Sequence, residues 1–569
     1  MQTLIADIET NDLLDSMTKV YCLCILDADS GVVDSYTSTS LEEGISRLND
    51  ADRVVMHNGI GFDHPALAKF GYNFPIDKIY DTLVASRLVD PTLEGGHSLR
   101  AWGERLGFPK GEYEDWSKLS DEMIEYCKQD CQVTLKLYEK IHPIAEIYSS
   151  ALALEHKVAQ LIAQQERNGF GFDVSKAEEL AATLYAERKD VEYKLQDIFP
   201  PIWKPSEIFT PVVDNKRLGY SKGCDLTKVD LQVFNPSSRQ QIANRLINKY
   251  DWKPKKFTPS GQPEINEGTL STLKYPEAKE LHKYLRIDKM IGMLGGEKGW
   301  LRMVKNGRIY GSVNPCGART GRMTHRNPNV AQADSDPRMR ELFIPRKGWK
   351  LLGVDADGLE ARLLGHYLAK LDDGEFADRV VNGDFHSFNQ QICELDSRHS
   401  SKTLFYAYMY GAGDGKIGQI VYDDRKYKGA KVAKGRATRK KLSEGIKGLG
   451  ALSTNVRMAA SERGYLLGLD KRHIQCPSPH TALNTLIQGA GAIVMKKALT
   501  IFAEDTYDIP SWGYCANVHD EIQIEAHEDE IKTLAFFMVN AIKEAGKQLQ
   551  LRCQMDGSYK IGNNWSETH

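Results

Sequence analysis

Apolar residues in the first 150 positions occur in two patterns, short runs bounded by turn residues and longer stretches in which they recur every three to four positions. The first pattern predicts β-strands and the second predicts helices. The predicted strands are residues 4–8, 20–26 and 53–56, and the predicted helices are 98–106 and 121–141. Strands and helices mixed in this way predict an α/β domain over residues 1–147.

The rest of the chain falls into blocks with different patterns. Residues 150–195 predict long helices that are apolar on one face. Residues 199–233 are richer in Pro and Gly and lack periodicity, which predicts a loop or a small insertion. Beyond residue 300 strand and helix patterns alternate again, and residues 425–441 form a basic stretch. A length of 569 residues with these blocks predicts an α/β multidomain protein.

The charge is unevenly distributed along the chain. Residues 1–150 contain 26 acidic and 13 basic residues, a net charge of −13, and the remainder contains 51 acidic and 61 basic residues, a net charge of +10. An acidic first part suits a unit that collects cations, and a basic body suits a unit that holds a polyanion.

Targeting and cysteine patterns restrict the class of protein further. The first residues, MQTLIADIETNDLLDS, carry acids where a signal peptide carries basic and apolar residues, and no run of eighteen uncharged apolar residues occurs. The ten cysteines lack zinc-site spacing. We therefore expect a cytoplasmic protein with reduced structural thiols and no membrane partner.

The first block contains five residues that could form one catalytic site. Asp7 and Glu9 lie two apart at the end of a predicted strand, so their side chains point to the same face. Asp63 follows a Gly-rich turn, and Tyr126 and Asp130 lie one helical turn apart. Four carboxylates and a tyrosine can hold two divalent ions and orient a water for attack on a phosphodiester. Each acid alone is better explained as a helix cap or a surface group, and only the ordered set is specific.

This ordered set, Asp-x-Glu, His-Asn-x-x-x-x-Asp and Tyr-x-x-x-Asp, closely resembles the three motifs of the DEDDy 3′→5′ exonucleases, which have an RNase H-like fold. The resemblance implies that Tyr126 helps to position the attacking water. It also implies that four acids bind metal, namely Asp7, Glu9, Asp63 and Asp130.

A second group of acids interrupts the apolar run LLGVDADGLEARLL, in which Asp355 and Asp357 are followed by Glu360. Burying an unpaired carboxylate is costly, so such acids are normally neutralised by a cation, a metal or a hydrogen-bond network. The alternative is a strand at the edge of a sheet with its acids facing water. The segment by itself leaves both interpretations open.

A helix predicted from residue 398 carries one stripe of functional side chains. Arg398, Lys402, Tyr406 and Tyr410 recur every four residues, and each step turns the side chain by only about 40°. Two cations followed by two aromatic rings suit a nucleotide, whose triphosphate needs cations and whose base needs a stacking surface. The alternative is an amphipathic helix with exposed basic residues and a buried aromatic seam.

This helix resembles the O helix of family A DNA polymerases, although Ala407 occupies the family's glycine position, so fidelity is not carried over with activity. VDADGLEARLLGHYLA resembles motif A of that family, and ANVHDEIQIE, a candidate hairpin, resembles motif C. The resemblance implies a right-hand polymerase with palm, fingers and thumb. In it, Asp355 and Asp520 hold a metal pair and the Ala356 carbonyl is a third ligand.

The same resemblance implies two sets of substrate-binding residues. The nucleotide-binding set is His386, Arg398, Lys402, Tyr406, Tyr410 and Glu360. The set that contacts primer-template DNA is Arg322, Gln488, His519 and Glu521. Glu360 would close the space beside the sugar 2′ carbon, which argues for a DNA polymerase against its first rival, a single-subunit RNA polymerase. Tyr406 would admit dideoxynucleotides.

The second rival is a DNA-binding or exonuclease-only protein with an inactive polymerase body. It predicts missing palm acids or cations, and none is missing. The resemblance implies a 3′→5′ exonuclease over residues 1–147, thumb and connecting region over 148–300, palm over 301–384 and 471–569, and fingers over 385–470.

Within family A, the segments FNPSSR, YGAGDGKIGQI and LNTLIQGAGA and the terminal histidine resemble the replicative DNA polymerases of the T-seven-type podophages. The resemblance therefore implies replication of a phage genome in the infected bacterial cell, with two Mg²⁺ ions per active site and Mn²⁺ as a substitute. The implied partners are primer-template DNA, dNTPs, a phage helicase-primase and a single-stranded DNA-binding protein. Those relatives bind host thioredoxin through a large thumb insertion. Residues 199–233 are too short for it, so we expect no thioredoxin binding.

Overall fold

A computed structural model of the protein describes residues 1–422 and 430–569. Residues 423–429, which include the start of the predicted basic stretch, lie outside the described residues. The described chain divides into two compact units. The first consists of Met1–Phe170, Tyr310–Ala331 and Pro345–His569, and the second of Gly171–Ile309 and Gln332–Ile344.

The amino-terminal block of the first unit is built from short strands and intervening helices. Its strands are Thr3–Thr10 (β1), Val20–Asp27 (β2), Val33–Thr37 (β3), Arg53–Met56 (β4) and Ile79–Asp81 (β5). Its helices are Leu41–Asp50 (α1), Asp63–Lys69 (α2), Thr82–Val89 (α3), Leu99–Arg105 (α4), Asp121–Ala145 (α5) and Ser149–Asn168 (α6).

These strands form one mixed sheet in the order β3-β2-β1-β4-β5. The β1–β2 and β2–β3 pairs are antiparallel, and the β1–β4 and β4–β5 pairs are parallel. An apolar cluster covers each side of the sheet, and helix α5 belongs to one of them through residues such as Cys131 and Leu137. The predicted α/β character of this block is confirmed, and β1, β2, β4, α4 and α5 overlap the predicted elements.

The middle of the chain contributes mainly helices. In order, the elements are Phe170–Phe172 (β6), Val174–Ile198 (α7), Ile202–Phe209 (β7), Leu226–Gln232 (β8), Arg239–Tyr250 (α8), Glu267–Ser271 (α9), Pro276–Gly295 (α10), Trp300–Met303 (α11), Arg308–Ile309 (β9), Ser312–Asn314 (β10), Thr324–Arg326 (β11), Pro337–Arg340 (α12) and Phe343–Ile344 (β12). In the second unit the long helices α7 and α10 pack side by side, and a small sheet has the order β12-β6-β9.

Residues 199–233 differ from the loop or small insertion predicted for them, because they contain an antiparallel pair of strands, β7 and β8. Trp203 pairs with Leu231, and Pro205 pairs with Val229. Nearly every residue of both strands is exposed. The pattern failed here because alternation reveals a strand only where one of its faces is buried.

The carboxy-terminal part of the first unit combines a sheet with many helices. In order, its elements are Trp349–Ala356 (β13), Leu359–Leu368 (α13), Glu375–Asn382 (α14), Phe385–Cys393 (α15), Arg398–Met409 (α16), Asp414–Val421 (α17), Lys431–Gly445 (α18), Leu449–Arg463 (α19), Tyr465–Leu467 (β14), His473–Gln475 (β15), Ala482–Asp505 (α20), Trp512–Val518 (β16), Glu521–His527 (β17), Ile531–Gln548 (α21), Gly557–Gly562 (β18) and Trp565–Thr568 (α22).

Four of these strands form an antiparallel sheet in the order β16-β17-β13-β18. Strand β13 is therefore an interior strand of the sheet, which excludes the alternative of an edge strand that the segment by itself left open. The predicted hairpin is present as β16 and β17. One large apolar core joins the buried side of this sheet to helices that include α13, α16, α20 and α21.

Within the described residues, one helical stretch, Pro479–Asp505, is long and apolar enough by composition to cross a membrane. Of its most apolar window, 78% is buried inside the protein, as in the core helix of a folded domain.

Candidate active sites

The first candidate site lies on the sheet of the amino-terminal block. Asp7 and Glu9 occupy alternate positions of β1, so both side chains lie on the same face. They pair across the sheet with Cys24 and Cys22 of β2. Asp63 is the first residue of α2 and is buried. It accepts a backbone hydrogen bond from Ile8, between the two β1 acids.

Buried Asp81 fixes the loop that carries Asp63. Its carboxylate accepts hydrogen bonds from the backbone amides of Asn58 at 3.0 Å and Ile60 at 3.1 Å, and it also caps α3 through Leu83 at 2.9 Å. Three donors on one carboxylate hold the Gly-rich turn against the sheet. The spacing of Asp81 along the sequence did not predict that it holds this loop.

Helix α5 brings the remaining predicted residues over the same face. Tyr126 and Asp130 lie one turn apart on it, and Asp130 is buried. One oxygen of Asp130, Oδ1, is buried without a hydrogen-bond partner in the described structure. The other, Oδ2, is in close contact with the ammonium group of Lys110. The structure therefore brings all five predicted residues to one place and adds Lys110.

The charges in this site are not balanced by the protein. Burial and the charges of Asp130, Glu9 and Asp63 raise the pKa of Asp7 well above its usual value. Burial and Asp130 raise the pKa of Glu9 to about 9, and burial raises that of Asp63 to about 7. Lys110 opposes each of these shifts. Several neighbouring carboxylates with only one lysine among them supply the oxygen ligands and the negative charge that a divalent cation prefers.

Cysteines from two elements lie beneath this site. The thiols of Cys22, Cys24 and Cys127 lie within 4.8 Å of one another, and the Cys127 thiol donates to the backbone carbonyl of Asp7 at 3.3 Å and to its carboxylate at 3.5 Å. All ten cysteines are free, as predicted. The contact between Cys127 and Asp7 could not be predicted, because the two residues are 120 positions apart.

The second candidate site lies at the end of the carboxy-terminal sheet. Asp355 is the penultimate residue of β13, and Asp520 lies in the turn between β16 and β17. The backbone amide of Ala356 donates to the carbonyl of Asp520 at 3.2 Å, which fixes the two acidic segments next to each other. His519 adopts a left-handed conformation, with φ of 61°, and so makes this tight turn possible.

The electrostatics of this pair again fit a cation. The side chain of Asp355 is exposed, although its neighbours Val354 and Ala356 are buried. Partial burial and the charges of Asp520, Glu521 and Asp357 raise the pKa of Asp355 to about 7. A carboxyl group that reaches solvent beside another acid favours a bound divalent ion over burial in the core.

Asp357 has different hydrogen-bond partners and a different role from Asp355. Its carboxylate accepts a hydrogen bond from the Ser558 hydroxyl at 2.7 Å, and its backbone carbonyl accepts one from Arg362 at 2.7 Å. Asp357 therefore helps to join β13 and α13 to strand β18, and it lies outside the acid pair despite its closeness in sequence.

Glu360 lies at the start of α13 and is bound by two predicted substrate-binding residues. The Tyr410 hydroxyl donates to its carboxylate at 2.9 Å, and the Arg322 guanidinium donates to it at 3.3 Å. These contacts join Glu360 of motif A, Tyr410 after helix α16 and Arg322 before β11 in one hydrogen-bond network.

Helix α16 presents the predicted stripe. Arg398, at its first turn, forms a two-point ion pair with Asp384, with N–O distances of 2.8 Å and 3.1 Å. Lys402 is exposed and has no ion-pair partner among the residues that the structure describes. Buried His386 lies nearby, and its Nδ1 atom has no hydrogen-bond partner in the described structure. Burial and the charges of Arg398 and Lys402 lower its pKa to about 4.

The aromatic half of the stripe faces the acids of the second site. Burial and the charges of Glu360, Asp520 and Asp355 raise the pKa of Tyr406. The rings of Tyr406 and Tyr410 have centroids 6.3 Å apart. The structure thus brings the Tyr406 side chain close to Asp355 and Asp520, which the alternative of a purely amphipathic helix does not require.

The predicted DNA contacts have different surroundings. Gln488 is half-buried on α20, and His519 is exposed. Glu521 is buried, and its carboxylate accepts hydrogen bonds from Gln523 at 2.7 Å and Trp565 at 2.5 Å and contacts His569 Nδ1 at 2.7 Å. Glu521 thereby holds the carboxy-terminal helix against the sheet, and the DNA contact that the resemblance implied for it stays a prediction.

Comparisons with known proteins show the family to which the chain belongs. The sequence model of the family described as DNA polymerase family A matches residues 224–567. The chain is 32% identical to the DNA-directed DNA polymerases of Enterobacteria phage T3 and Escherichia phage T7, with full coverage of both chains in each comparison. It is 24% identical to DNA polymerase I of Aquifex aeolicus, covering 94% of this chain and 92% of that one.

Among solved structures, the POL domain of Pol1 from M. smegmatis, in complex with DNA primer-template and dNTP, is similar in fold. The TM-score is 0.78 at 19% identity, and the match covers 99% of this chain and 96% of that chain. At this identity the similarity bears on the fold alone.

Proposed function

Because the chain belongs to DNA polymerase family A, we propose that it is a DNA-directed DNA polymerase that replicates a phage genome and proofreads its product. The predicted right-hand polymerase fold and the predicted kinship with T-seven-type phage polymerases are confirmed by the family match, the phage relatives and the likeness of fold. The observation that best supports polymerase activity is that Asp355 and Asp520 lie next to each other, held by the backbone hydrogen bond between Ala356 and Asp520.

The catalytic groups follow from this pair. Asp355, Asp520 and the carbonyl of Ala356 would hold divalent ions in the polymerase site, and Asp7, Glu9, Asp63 and Asp130 would hold them in the exonuclease site. Two Mg²⁺ ions per site, with Mn²⁺ as a substitute, would supply the Lewis acidity that activates the attacking oxygen and stabilises the leaving group in both reactions.

The chain's own side chains would bind and orient the incoming dNTP. Lys402 and His386, whose Nδ1 atom has no hydrogen-bond partner in the described structure, would bind the triphosphate. Arg398 would exchange its partner Asp384 for phosphate oxygens. Tyr406 offers a ring next to the acids for the sugar and base. Tyr410 supports Glu360, which would exclude a ribose 2′-hydroxyl.

Contacts with the primer-template duplex would come from Arg322, Gln488 and His519. Hydrogen-bond acceptors in the minor groove are nearly the same for every base pair, so such contacts test the geometry of the pair without reading its sequence. The segment before β11 and helix α20, which carry Arg322 and Gln488, belong to the same unit as the palm acids.

The second activity that we propose is 3′→5′ exonuclease proofreading in the amino-terminal block. It is supported by the convergence of Asp7, Glu9, Asp63 and Asp130 on one face of the mixed sheet, with Tyr126 one turn from Asp130. The unbalanced negative charge of these acids suits metal-dependent hydrolysis better than a structural role. Tyr126 would position the attacking water.

The implied partners are primer-template DNA and dNTPs, with a helicase-primase and a single-stranded DNA-binding protein of the phage, in the cytoplasm of an infected bacterium. The proposed exonuclease, thumb, palm and fingers boundaries are those predicted from the sequence. Thioredoxin remains excluded from the proposal, because only the short β7–β8 pair occupies the segment where the relatives' insertion is expected.

Primer extension on a long single-stranded template tests the polymerase proposal. The protein should incorporate dNTPs in preference to NTPs with Mg²⁺, and a native preference for NTPs would favour an RNA polymerase instead. Degradation of a 3′-labelled oligonucleotide tests the exonuclease proposal. Asp7→Ala together with Glu9→Ala should abolish degradation and spare synthesis, and degradation that survives this double change would overturn the assignment.

A further inference from the structure

Lys110 lies among the proposed exonuclease acids although it belongs to none of the sequence motifs. Its ammonium group contacts Asp130 Oδ2 and lies 4.8 Å from the centroid of the Tyr126 ring. Its side chain is 21% exposed, so part of it reaches solvent and Lys110 is not a core cation. One lysine therefore touches both residues that α5 contributes.

The backbone next to Lys110 is tightly held in this position. The Gln129 side chain of α5 donates to the carbonyl of Pro109 at 2.9 Å. A methyl group at Gly103 would lie 2.8 Å from the Phe108 carbonyl and 3.0 Å from the Lys110 amide, so this segment packs directly on α4. These contacts fix the lysine backbone against both helices, while the four-carbon stem leaves the ammonium group free to turn.

The positive charge of Lys110 could bind substrate once divalent ions occupy the acids. Its positive charge opposes the crowded charge of Asp7, Glu9 and Asp63. Divalent ions would neutralise these carboxylates themselves, which leaves the ammonium group with a surplus charge at the opening. A phosphodiester entering there brings the negative charge that a lysine stabilises as it develops on phosphate oxygens.

We propose that Lys110 is a substrate-binding residue of the exonuclease site, whose ammonium group contacts a non-bridging oxygen of the phosphodiester that is cleaved. This inference rests on the proposed exonuclease function and adds a phosphate contact to it. The competing interpretation is that Lys110 only balances the charge of Asp130 and never meets the DNA.

Steady-state degradation of a single-stranded oligonucleotide with Mg²⁺ tests the proposal. Lys110→Ala should lower kcat/KM by about 100-fold, with a rise in KM, because one charged donor to the reacting phosphate is lost. Lys110→Arg should recover most of this loss, since the charge remains within reach. Lys128→Ala is the matched control, because Lys128 lies on α5, the helix that carries Tyr126 and Asp130, and pairs with Glu125 at 2.8 Å. Polymerase activity should not change in any of these variants.

Two competitor oligonucleotides separate a phosphate contact from charge balance. One carries a charged, slowly cleaved phosphorothioate at its 3′-terminal linkage, and the other carries a neutral methylphosphonate there. Lys110→Ala should raise the inhibition constant of the charged competitor and leave that of the neutral competitor unchanged. Equal changes for the two competitors, or no change for either, would overturn the proposal.

The two proposals fail in different ways. Degradation that persists in the Asp7→Ala, Glu9→Ala protein would overturn the exonuclease function itself. Degradation that is lost in that protein but has wild-type kcat and KM in Lys110→Ala would overturn only the role of Lys110.

Discussion

The carboxylate of Glu360 accepts a hydrogen bond from the Tyr410 hydroxyl at both of its oxygens, at 3.0 Å and 2.9 Å. Arg322 binds the same carboxylate from a third segment. Glu360 is the second residue of helix α13 and follows Asp355 by five positions, and Tyr410 follows the last residue of α16. The residue proposed to exclude ribonucleotides is thus held in place by its neighbours.

Tyr410→Phe should weaken discrimination between dNTPs and NTPs. The change keeps the ring but removes a hydrogen bond to a charged group, worth about 1.5 kcal/mol or roughly tenfold in selectivity. The ratio of kcat/KM for dATP and ATP measures the effect. Tyr507→Phe is the control, because Tyr507 is 87% exposed. Unchanged selectivity in Tyr410→Phe would mean that Glu360 acts without this support.

Tyr406→Phe should make the polymerase reject chain terminators. The Tyr406 side chain faces Glu360 and the two palm acids, where its hydroxyl can replace the missing 3′-hydroxyl of a dideoxynucleotide. We expect the ddNTP to dNTP incorporation ratio to fall by at least about tenfold, the value of one well-placed hydrogen bond. Ala407→Gly, made alongside it, shows whether the extra methyl group alters this ratio. An equal ratio in wild type and Tyr406→Phe would contradict the assignment.

Glu155→Gln should destabilise the fold through a buried ion cluster. Glu155 contacts Arg472 and Lys496 at 2.5 Å each, and all three side chains are buried. Removing the anion takes this partner from the buried Lys496, while Arg472 keeps its ion pair with Asp470, and breaking such a buried pair typically costs about 3–5 kcal/mol. Urea denaturation at pH 7 measures this loss. Glu504→Gln, at the exposed pair with Lys157, is the control and should change stability by less than about 0.5 kcal/mol.

The same cluster predicts a dependence on pH. Burial by itself would raise the pKa of Glu155, but Lys496 and Arg472 outweigh it and the pKa is lowered. A lowered folded-state pKa stabilises the fold above the ordinary glutamate pKa of about 4.3, and this stabilisation is lost as the pH falls through the folded-state value. The difference between wild type and Glu155→Gln should therefore be full at pH 7 and shrink in strongly acidic solution. A constant difference across this range would contradict the ion-pair account.

Bacterial thioredoxin should not lengthen the products of this polymerase. The segment between α7 and α8 contains only the β7–β8 strand pair and its connections. Product lengths on a primed single-stranded circle, with and without thioredoxin at equal polymerase concentration, test this expectation. Longer products with thioredoxin would show that a short hairpin suffices for recruitment.

The sequence predicted those parts of the sites that depend on regular periodicity. Asp7 and Glu9 share a face because side chains alternate along a strand. Arg398, Lys402 and Tyr406 share one because four residues make slightly more than one helical turn. The resemblance then supplied the pairing of Asp355 with Asp520, which are 165 positions apart and which no local pattern connects.

The parts that escaped prediction lie in irregular segments or depend on distant partners. Lys110 sits in a loop without periodicity, and only the packing of α4 and α5 brings it to Asp130. Asp384, the partner of Arg398, precedes α15 as an ordinary cap. Glu521 also has a structural role that its motif did not reveal, because Trp565 and His569, near the end of the chain, bind its carboxylate.

Single-turnover primer extension by Asp355→Asn, Asp520→Asn and Asp357→Asn tests the central claim most directly, that Asp355 and Asp520 form one metal-binding pair. The first two changes should slow extension by about a thousandfold or more, because several kcal/mol of transition-state stabilisation are lost with the metal site. Asp357→Asn should extend at nearly the wild-type rate, since Asp357 binds Ser558. Wild-type extension by Asp355→Asn or Asp520→Asn, or an equally large loss in Asp357→Asn, would contradict the account.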